Sequence, residues 1–384
     1  MHERIYLDWN ATTPLRPQAR QAMVAAWDLP GNPSSVHAEG RQARGVVEQA
    51  RAIVAEAVGT KPRNVVFTSG GTEANALALT PELGKAGAFV LQRLAVSAIE
   101  HPSVLTGGRF GRGAITKIGV SRSGVIELGL LRRALNGYPP TLVSIMAANN
   151  ETGALQPIRE AAEIVHQAGG LLHVDAIQAF GRIPFNINEL GVDLATLSAH
   201  KIGGPKGVGA LVLADRVEGI DPLLCGGGQE FGRRAGTENV AGISGFGAAA
   251  SAAMTAREAD AQRLERLRTR LETGLKETPE TIIFCDNVAR LPNTTLFTIP
   301  GLRAETAVIG FDLEGIAVSS GSACSSGKVQ PSHVLEAMGF GPQLAQGAVR
   351  LSLGWSTSEA DIESCLEAWR KLANTLLKRQ RNTA

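Results

Sequence analysis

Three residues stand where their side chains could do covalent or acid–base work: Lys201, Asp175 and Cys324. Lys201 lies in "LSAHKIGGPKGVGAL", directly after an apolar run and before a turn rich in glycine and proline. A lysine pressed against a sheet edge has its ammonium partly desolvated. That lowers its pKa and makes it a usable amine nucleophile. Asp175 closes the apolar run "LLHVD", with Gln178 three residues on. Upstream, "FTSGGTEANALAL" passes through Gly70, Gly71 and Thr72 into a helical pattern. Backbone N–H groups at such a helix start attract a phosphate, and Thr72 adds a hydroxyl.

Each feature alone has a plain reading: a surface lysine, a capping aspartate, an ordinary strand-to-helix turn. The glycine turn matches neither GxGxxG nor GxxxxGK[ST]. Taken together they fit one cofactor. Pyridoxal phosphate needs an anion site, an acid beside its ring nitrogen and a Schiff-base lysine. The acid keeps the ring nitrogen protonated through a charge-assisted hydrogen bond, so the ring can accept electrons. Cys324 sits in "SSGSACSSGKVQPSH", rich in serine and glycine. The other cysteines, at 225, 285 and 365, are widely spaced, and no CxxC pair exists. A zinc or dithiol site is therefore not expected, and the metal expectation is none.

These residues need strands to hold them. "NVVFTSG", "LAVSAIEH", "TLVSIMAANN", "LLHVDAIQ", "DLATLSAHK" and "GVGALVLA" read as buried strands with polar ends, alternating with amphipathic helices such as Ile158 to Ala168. That rhythm predicts a mostly parallel sheet covered on both faces, with ligands beyond the carboxyl ends of its strands. From about Ala253 the texture changes to a charged helix with Leu264, Leu267, Leu271 and Leu275 on one face, leading into a second domain. Ser358 is placed to cap the last helix, whose buried stripe includes Ile362, Leu366 and Trp369.

With 384 residues and Lys+Arg 38 against Asp+Glu 36, the chain has room for two domains and no basic block for nucleic acid. Its N-terminus lacks an apolar h-region, and the run "AGISGFGAAASAAM" is too short to span a bilayer. A reducing, cytoplasmic setting without membrane association is the expectation.

At the level of motifs the chain resembles the cysteine desulfurases of the NifS/IscS type, in the class V branch of pyridoxal-phosphate fold type I. "YLDWNATTP", "GNPSSVH", "FTSGGTEAN", "NNETG", "HVDAIQAFG", "SAHKIGGPKGVGAL", "RAGTENV" and "SSGSACSS" follow in that family's order, from about Ile5 to Trp355. The resemblance implies an α/β fold of the pyridoxal-phosphate-dependent transferase type I. Its large domain, residues 15–255, would carry a mostly parallel seven-stranded sheet covered by helices. Residues 1–14 and 256–384 would form a smaller α+β domain carrying the Cys324 loop.

The resemblance also implies roles. Lys201 would carry the cofactor. Asp175 and Gln178 would contact the pyridine nitrogen and the phenolic oxygen. His101 would stack on the ring and assist proton transfer. Gly71, Thr72, Ser198 and His200 would bind phosphate, and Thr237 would reach the phosphate in the neighbouring subunit's site of a homodimer. Asn150 and Arg350 would hold the substrate carboxylate, with Asn150 also near the cofactor. Cys324 would attack the sulfur of L-cysteine, giving L-alanine and a persulfide for a sulfur acceptor such as an iron–sulfur scaffold. Small polar residues around Cys324 would let it swing between substrate and acceptor. A selenocysteine lyase, another class V aminotransferase or lyase, and a non-enzymatic sulfur carrier share parts of this pattern; transamination would not need Cys324. Trp9, Ala76 and Gly203 depart from the family's usual residues and would reshape the site mouth. The terminal "KRQRNTA" is shorter than the tail that docks the scaffold in housekeeping relatives, which leaves the acceptor open.

Overall fold

The computed structural model describes residues 4–83, 89–217, 219–321 and 331–381. Cys324 lies outside the described residues.

Runs of β-branched and aliphatic residues build the larger sheet. Its strands are β1 (Val65–Thr68), β2 (Arg93–Ser97), β3 (Ile115–Ile118), β4 (Thr141–Met146), β5 (Leu171–Asp175), β6 (Leu194–Ser198) and β7 (Gly209–Leu213). They lie in the order β1-β7-β6-β5-β4-β2-β3. Only β7 runs antiparallel to its neighbours. Burial on both faces explains the nearly unbroken apolar composition of these strands; the edge strand β3 is the partly exposed exception. The seven-stranded, mostly parallel sheet expected from the sequence is present.

Parallel order puts the carboxyl ends of β1, β2, β4, β5 and β6 on one edge. Gly71 and Thr72 follow β1, His101 follows β2, Asn150 follows β4, Asp175 ends β5, and Lys201 follows β6. Residues far apart in sequence thus reach one rim. The turn before Gly71 passes hard against β7. A Cβ on Gly209 would sit 2.5 Å from the Gly70 carbonyl carbon, so only glycine fits there.

A second, antiparallel sheet contains β8 (Ile282–Ile283), β9 (Thr294–Thr298), β10 (Ser319–Ser320) and β11 (Val349–Ser352), in the order β8-β9-β11-β10. Its apolar cluster joins Leu7, Leu264, Leu271, Phe297, Phe311, Leu351 and Trp369. Trp369 is fully buried and spends its indole N–H on Thr278 Oγ1 at 2.9 Å. The last helix, Glu359–Arg381, starts as anticipated: Ser358 Oγ accepts from Asp361 N at 3.2 Å, and Asp361 Oδ2 accepts from Ser358 N at 2.8 Å.

One element differs from the sequence reading. The helix expected from Ala253 begins at Val240 and runs unbroken to Lys276. Its first half is the small-residue run that carries no helical stripe of large apolar side chains. Small residues are there for close approach. A Cβ on Gly247 would lie 2.8 Å from Ala50 Cα, and one on Gly245 would lie 2.6 Å from Met23 Cγ. Helices Pro17–Trp27 and Ala38–Ala57 pack against this half. That packing offsets the roughly 1 kcal/mol that each interior glycine costs a helix. Among the described residues, no helix is long and apolar enough to cross a membrane.

Candidate active site

A cavity of ≈ 290 Å³ opens at the carboxyl edge of the larger sheet. Its walls include Gly71, Thr72, His101, Asn150, Asp175, Gln178, Ser198, His200, Lys201 and Arg350. All of the expected site residues converge there except Cys324, outside the described residues, and Thr237. Thr237 is exposed and lines a different cleft with Ser69, Gly207, Arg234 and Asn239.

Lys201 ends a short 3₁₀ turn, Ala199–Lys201, directly after β6. Its Nζ donates to the carbonyls of Asn10 at 2.6 Å and Ala11 at 2.7 Å. The N-terminal segment is laced onto this turn. Thr13 donates through N and Oγ1 to the His200 carbonyl, and Arg16 donates to the carbonyls of Ile202 and Gly203. The Gln178 amide donates to the Asn10 carbonyl at 3.0 Å and accepts from Arg182. Asn10 is therefore part of the site, and the sequence reading gave it no role. "YLDWNATTP" carried the signal as a motif, but nothing local to Asn10 indicates that its carbonyl meets a lysine 191 residues away.

Asp175 is 5% exposed. Its Oδ1 accepts from Ile177 N at 3.0 Å and its Oδ2 from Asn75 Nδ2 at 3.0 Å. Burial pushes its pKa up, while Asn75, His101, the Ile177 amide and Lys201 pull it down. Such a carboxylate is well placed to hold a cationic N–H of a ligand. His101 caps the short helix Pro102–Leu105 by accepting from Ser103 N at 3.2 Å. Burial also lowers its pKa. Burial, then the neighbouring Lys201, Lys206 and Arg182, lower His200 to about 4, leaving it neutral.

Arg350 is 1% exposed at the centre of β11. One Nη donates to the Asn150 carbonyl at 3.1 Å and the other to Asp8 Oδ1 at 2.7 Å. Its Nε is buried and has no hydrogen-bond partner among the described residues. A buried guanidinium that lines a polar cavity and has N–H donors beyond the two spent on Asn150 and Asp8 suits a carboxylate ligand. The β10–β11 register sets Ser319 beside Arg350. Asp8, which balances Arg350, was also missed as a site residue.

Two of the departures noted in the sequence, Trp9 and Gly203, pack on the same Trp355 ring. A Cβ on Gly203 would lie 2.6 Å from the Trp355 ring and 2.4 Å from Arg16 Cγ. Trp9 meets Trp355 edge-on at 4.6 Å, and the Arg16 guanidinium lies 4.0 Å above Trp355. Trp355 and Arg16 thus fill the space that a side chain at position 203 would claim.

The donor set fits pyridoxal phosphate. It comprises an amine (Lys201), a buried acid (Asp175), an imidazole (His101), and a helix start (Gly71, Thr72) with a nearby hydroxyl (Ser198). Among the described residues no cluster of ligands suits a metal ion.

A family model, aminotransferase class-V, matches residues 5–365. The chain is 40% identical to the cysteine desulfurase IscS of Dictyoglomus turgidum over an alignment of 385 residues, covering 98% of this chain and 96% of that one. Among solved structures, a NifS-like protein from Rickettsia africae superposes with a TM-score of 0.88 at 39% identity, covering 97% of this chain and 100% of that one. The structure described as SspA in complex with cysteine superposes with a TM-score of 0.74 at 29% identity, covering 91% and 98%.

Proposed function

The chain belongs to the aminotransferase class-V family, and from that premise we propose how its residues divide the work of a cysteine desulfurase. The protein is a pyridoxal-phosphate-dependent enzyme that removes sulfur from L-cysteine and leaves L-alanine. Bound pyridoxal phosphate supplies an electron sink that makes the substrate's Cα–H and Cβ–S bonds labile.

Gly71 and Thr72 at the start of helix Gly71–Ala78, with Ser198 and His200, hold the phosphate. Asp175 holds the proton on the ring nitrogen, and Gln178 and Asn150 orient the ring's polar edge. Lys201 carries the cofactor and then moves the Cα proton. Arg350 grips the substrate carboxylate. A carboxylate held there would fix the orientation of the substrate backbone within the cavity. The Cys324 thiolate attacks that sulfur: an S–S bond forms, the Cβ–S bond breaks, and its electron pair stays with the three-carbon skeleton. Sulfur chemistry calls for a soft thiolate here, which serine would not replace. Support for placing Cys324 at the substrate comes from β10, where Ser319, five residues before Cys324 in the sequence, pairs with Arg350.

We also read the protein as a cytoplasmic homodimer that hands its persulfide to an acceptor such as an iron–sulfur scaffold. Exposed Leu223, Leu224 and Phe231 flank the segment that ends in exposed Thr237, which supports an interface there. The division into residues 15–255 and the remainder is supported by the separate apolar cluster around Leu264, Phe297 and Trp369.

The observation that carries the reading is the convergence of Lys201, Asp175 and a buried Arg350 on one cavity. Borohydride reduction of the purified holoenzyme, followed by peptide mass spectrometry, tests it. The reading expects the cofactor mass on Lys201; label on another lysine, or none, overturns it.

A further inference from the structure

Behind the cavity, a set of buried polar side chains links the partners of the ring nitrogen and of the ring face. Asn75 Nδ2 donates to Asp175 Oδ2 at 3.0 Å and to Ser103 Oγ at 2.9 Å. Asn75 Oδ1 accepts from Thr196 Oγ1 at 2.6 Å. Thr196 Oγ1 lies 3.3 Å from His173 Nε2, and His173 Nδ1 lies 2.8 Å from Ser144 Oγ. At the other end, Ser103 Oγ lies 2.7 Å from His101 Nδ1. Asn75, Ser144, His173 and Thr196 are each fully buried.

The proton positions follow from what each group can give and take. A carboxylate only accepts, so Asn75 turns its NH₂ to Asp175 and its Oδ1 to Thr196. Thr196 has one proton, and Asn75 takes it, so the Thr196 oxygen accepts from His173 Nε2–H. His173 is neutral, because burial lowers its pKa to about 3, so its Nδ1 accepts from Ser144. The second N–H of Asn75 occupies Ser103 Oγ, and the Ser103 proton goes to His101 Nδ1. That nitrogen also accepts from the Ser103 backbone N–H at 3.2 Å. A nitrogen that accepts a backbone N–H carries no proton, so neutral His101 is protonated on Nε2. Every hydrogen bond in the chain runs one way, from Ser144 toward Asp175 and His101.

We propose that Asn75 is a positioning residue that couples Asp175 to His101, and that Ser144, His173 and Thr196 hold its amide in the one orientation that donates to both. The proposal rests on the reading that Asp175 and His101 face the cofactor. It has a consequence for the reaction. With its proton on Nε2, His101 meets the site as a hydrogen-bond donor, and removal of the Cα proton falls to Lys201. The titratable groups facing Asp175 are Glu100, His101 and Lys201, and those facing His101 are Asp175, Lys201 and His333.

The test uses holoenzyme throughout. NMR of ¹⁵N-histidine-labelled wild type should show His101 protonated at Nε2 and bare at Nδ1; the reverse tautomer overturns the chain. Asn75→Ala should shift the pH titration of the visible cofactor absorbance by about half a unit or more. It should also lower kcat roughly 10- to 100-fold while KM changes by less than about threefold, as expected for loss of a hydrogen bond to a charged group. A lower melting temperature with an unmoved absorbance titration and kcat within about twofold makes Asn75 a packing residue and overturns the proposal. Where Asn75→Ala does not fold, Thr196→Val and Thr196→Ser decide. The valine variant should shift the titration in the same direction and the serine variant should restore it; an unmoved Thr196→Val titration overturns the proposal. A colourless wild type overturns the site reading and this inference with it. A coloured wild type with an unmoved variant overturns this inference alone.

Discussion

Replacing Glu151 by glutamine should stabilise the protein above neutral pH and do little in acid. Glu151 is 2% exposed, beside Asn150, and accepts a hydrogen bond from Ser332 Oγ, which also caps helix His333–Ala337. Burial raises its pKa from 4.5 to about 7, against the pull of Ser332 and Arg350. The folded state therefore binds this proton more tightly than the unfolded chain does. The group's stabilising share is complete below about pH 4.5 and is lost as pH rises through about 7. At about 1.4 kcal/mol per pH unit, the full difference amounts to about 3 kcal/mol by pH 8. Glutamine keeps the shape and a partner for Ser332 but has no proton to lose. Denaturant unfolding of the holoenzyme at saturating cofactor, at pH 4.5 and pH 8, measures it. The variant should match wild type at the lower pH and exceed it by about 2–3 kcal/mol at the higher. Equal stability at both values, or a variant weaker at pH 8, refutes the reasoning and makes Glu151 an ionised partner of Arg350.

Other consequences follow from the same geometry. Arg350→Lys replaces a planar fork by a point charge, so KM for L-cysteine should rise roughly 10- to 100-fold, with a smaller effect on kcat; an unchanged KM places the substrate carboxylate elsewhere. Arg51 and Glu230 form a buried bidentate pair, at 2.6 and 2.9 Å, and Glu230 also accepts from Phe67 N at 2.9 Å. Glu230→Gln leaves the buried guanidinium with only Glu48, nearer the surface, as a counter-charge, and should cost about 3 kcal/mol in denaturant unfolding; a loss under about 1 kcal/mol contradicts a buried charge pair. His173, held neutral with a pKa of about 3, takes up a proton when the chain unfolds in mild acid. Its share of stability is present above about pH 6.5 and fades as pH falls toward 3, so His173→Gln should flatten the acid limb of a stability–pH curve.

Most of the site was readable because its residues punctuate strands. Asp175, Ser198 and Lys201 announce themselves as polar groups at the ends of apolar runs, and Gly71–Thr72 as a strand-to-helix turn. The parallel sheet then does the assembling, which is why the same rhythm of strands gives both the fold and the rim where the site lies. What escaped has no local signature. Asn75 sits one turn into a helix as an ordinary polar residue, and its partners Asp175 and Thr196 lie 100 and 121 residues further on. Asn10 and Asp8 act through contacts 191 and 342 residues away. The small-residue run from Ala241 hid half a helix, because its reason for being small is the approach of two other helices. Trp9 and Gly203 read as separate departures, and only their shared packing on Trp355 shows them to be one exchange of volume.

The central claim is that sulfur leaves L-cysteine by attack of Cys324 at a site built on Lys201, and one comparison tests it most directly. Wild-type and Cys324→Ala holoenzymes are each given L-cysteine under non-reducing conditions. Alanine release is then measured, and intact-protein and peptide mass spectrometry are used to look for added sulfur. The account predicts L-alanine and a +32 Da persulfide on Cys324 in the wild type, by the mass of one sulfur atom (about 32 Da) added to a thiol. It predicts a cofactor-loaded Cys324→Ala variant that gives neither above background. Full alanine and sulfide release by Cys324→Ala, or added sulfur on a different cysteine, would contradict it.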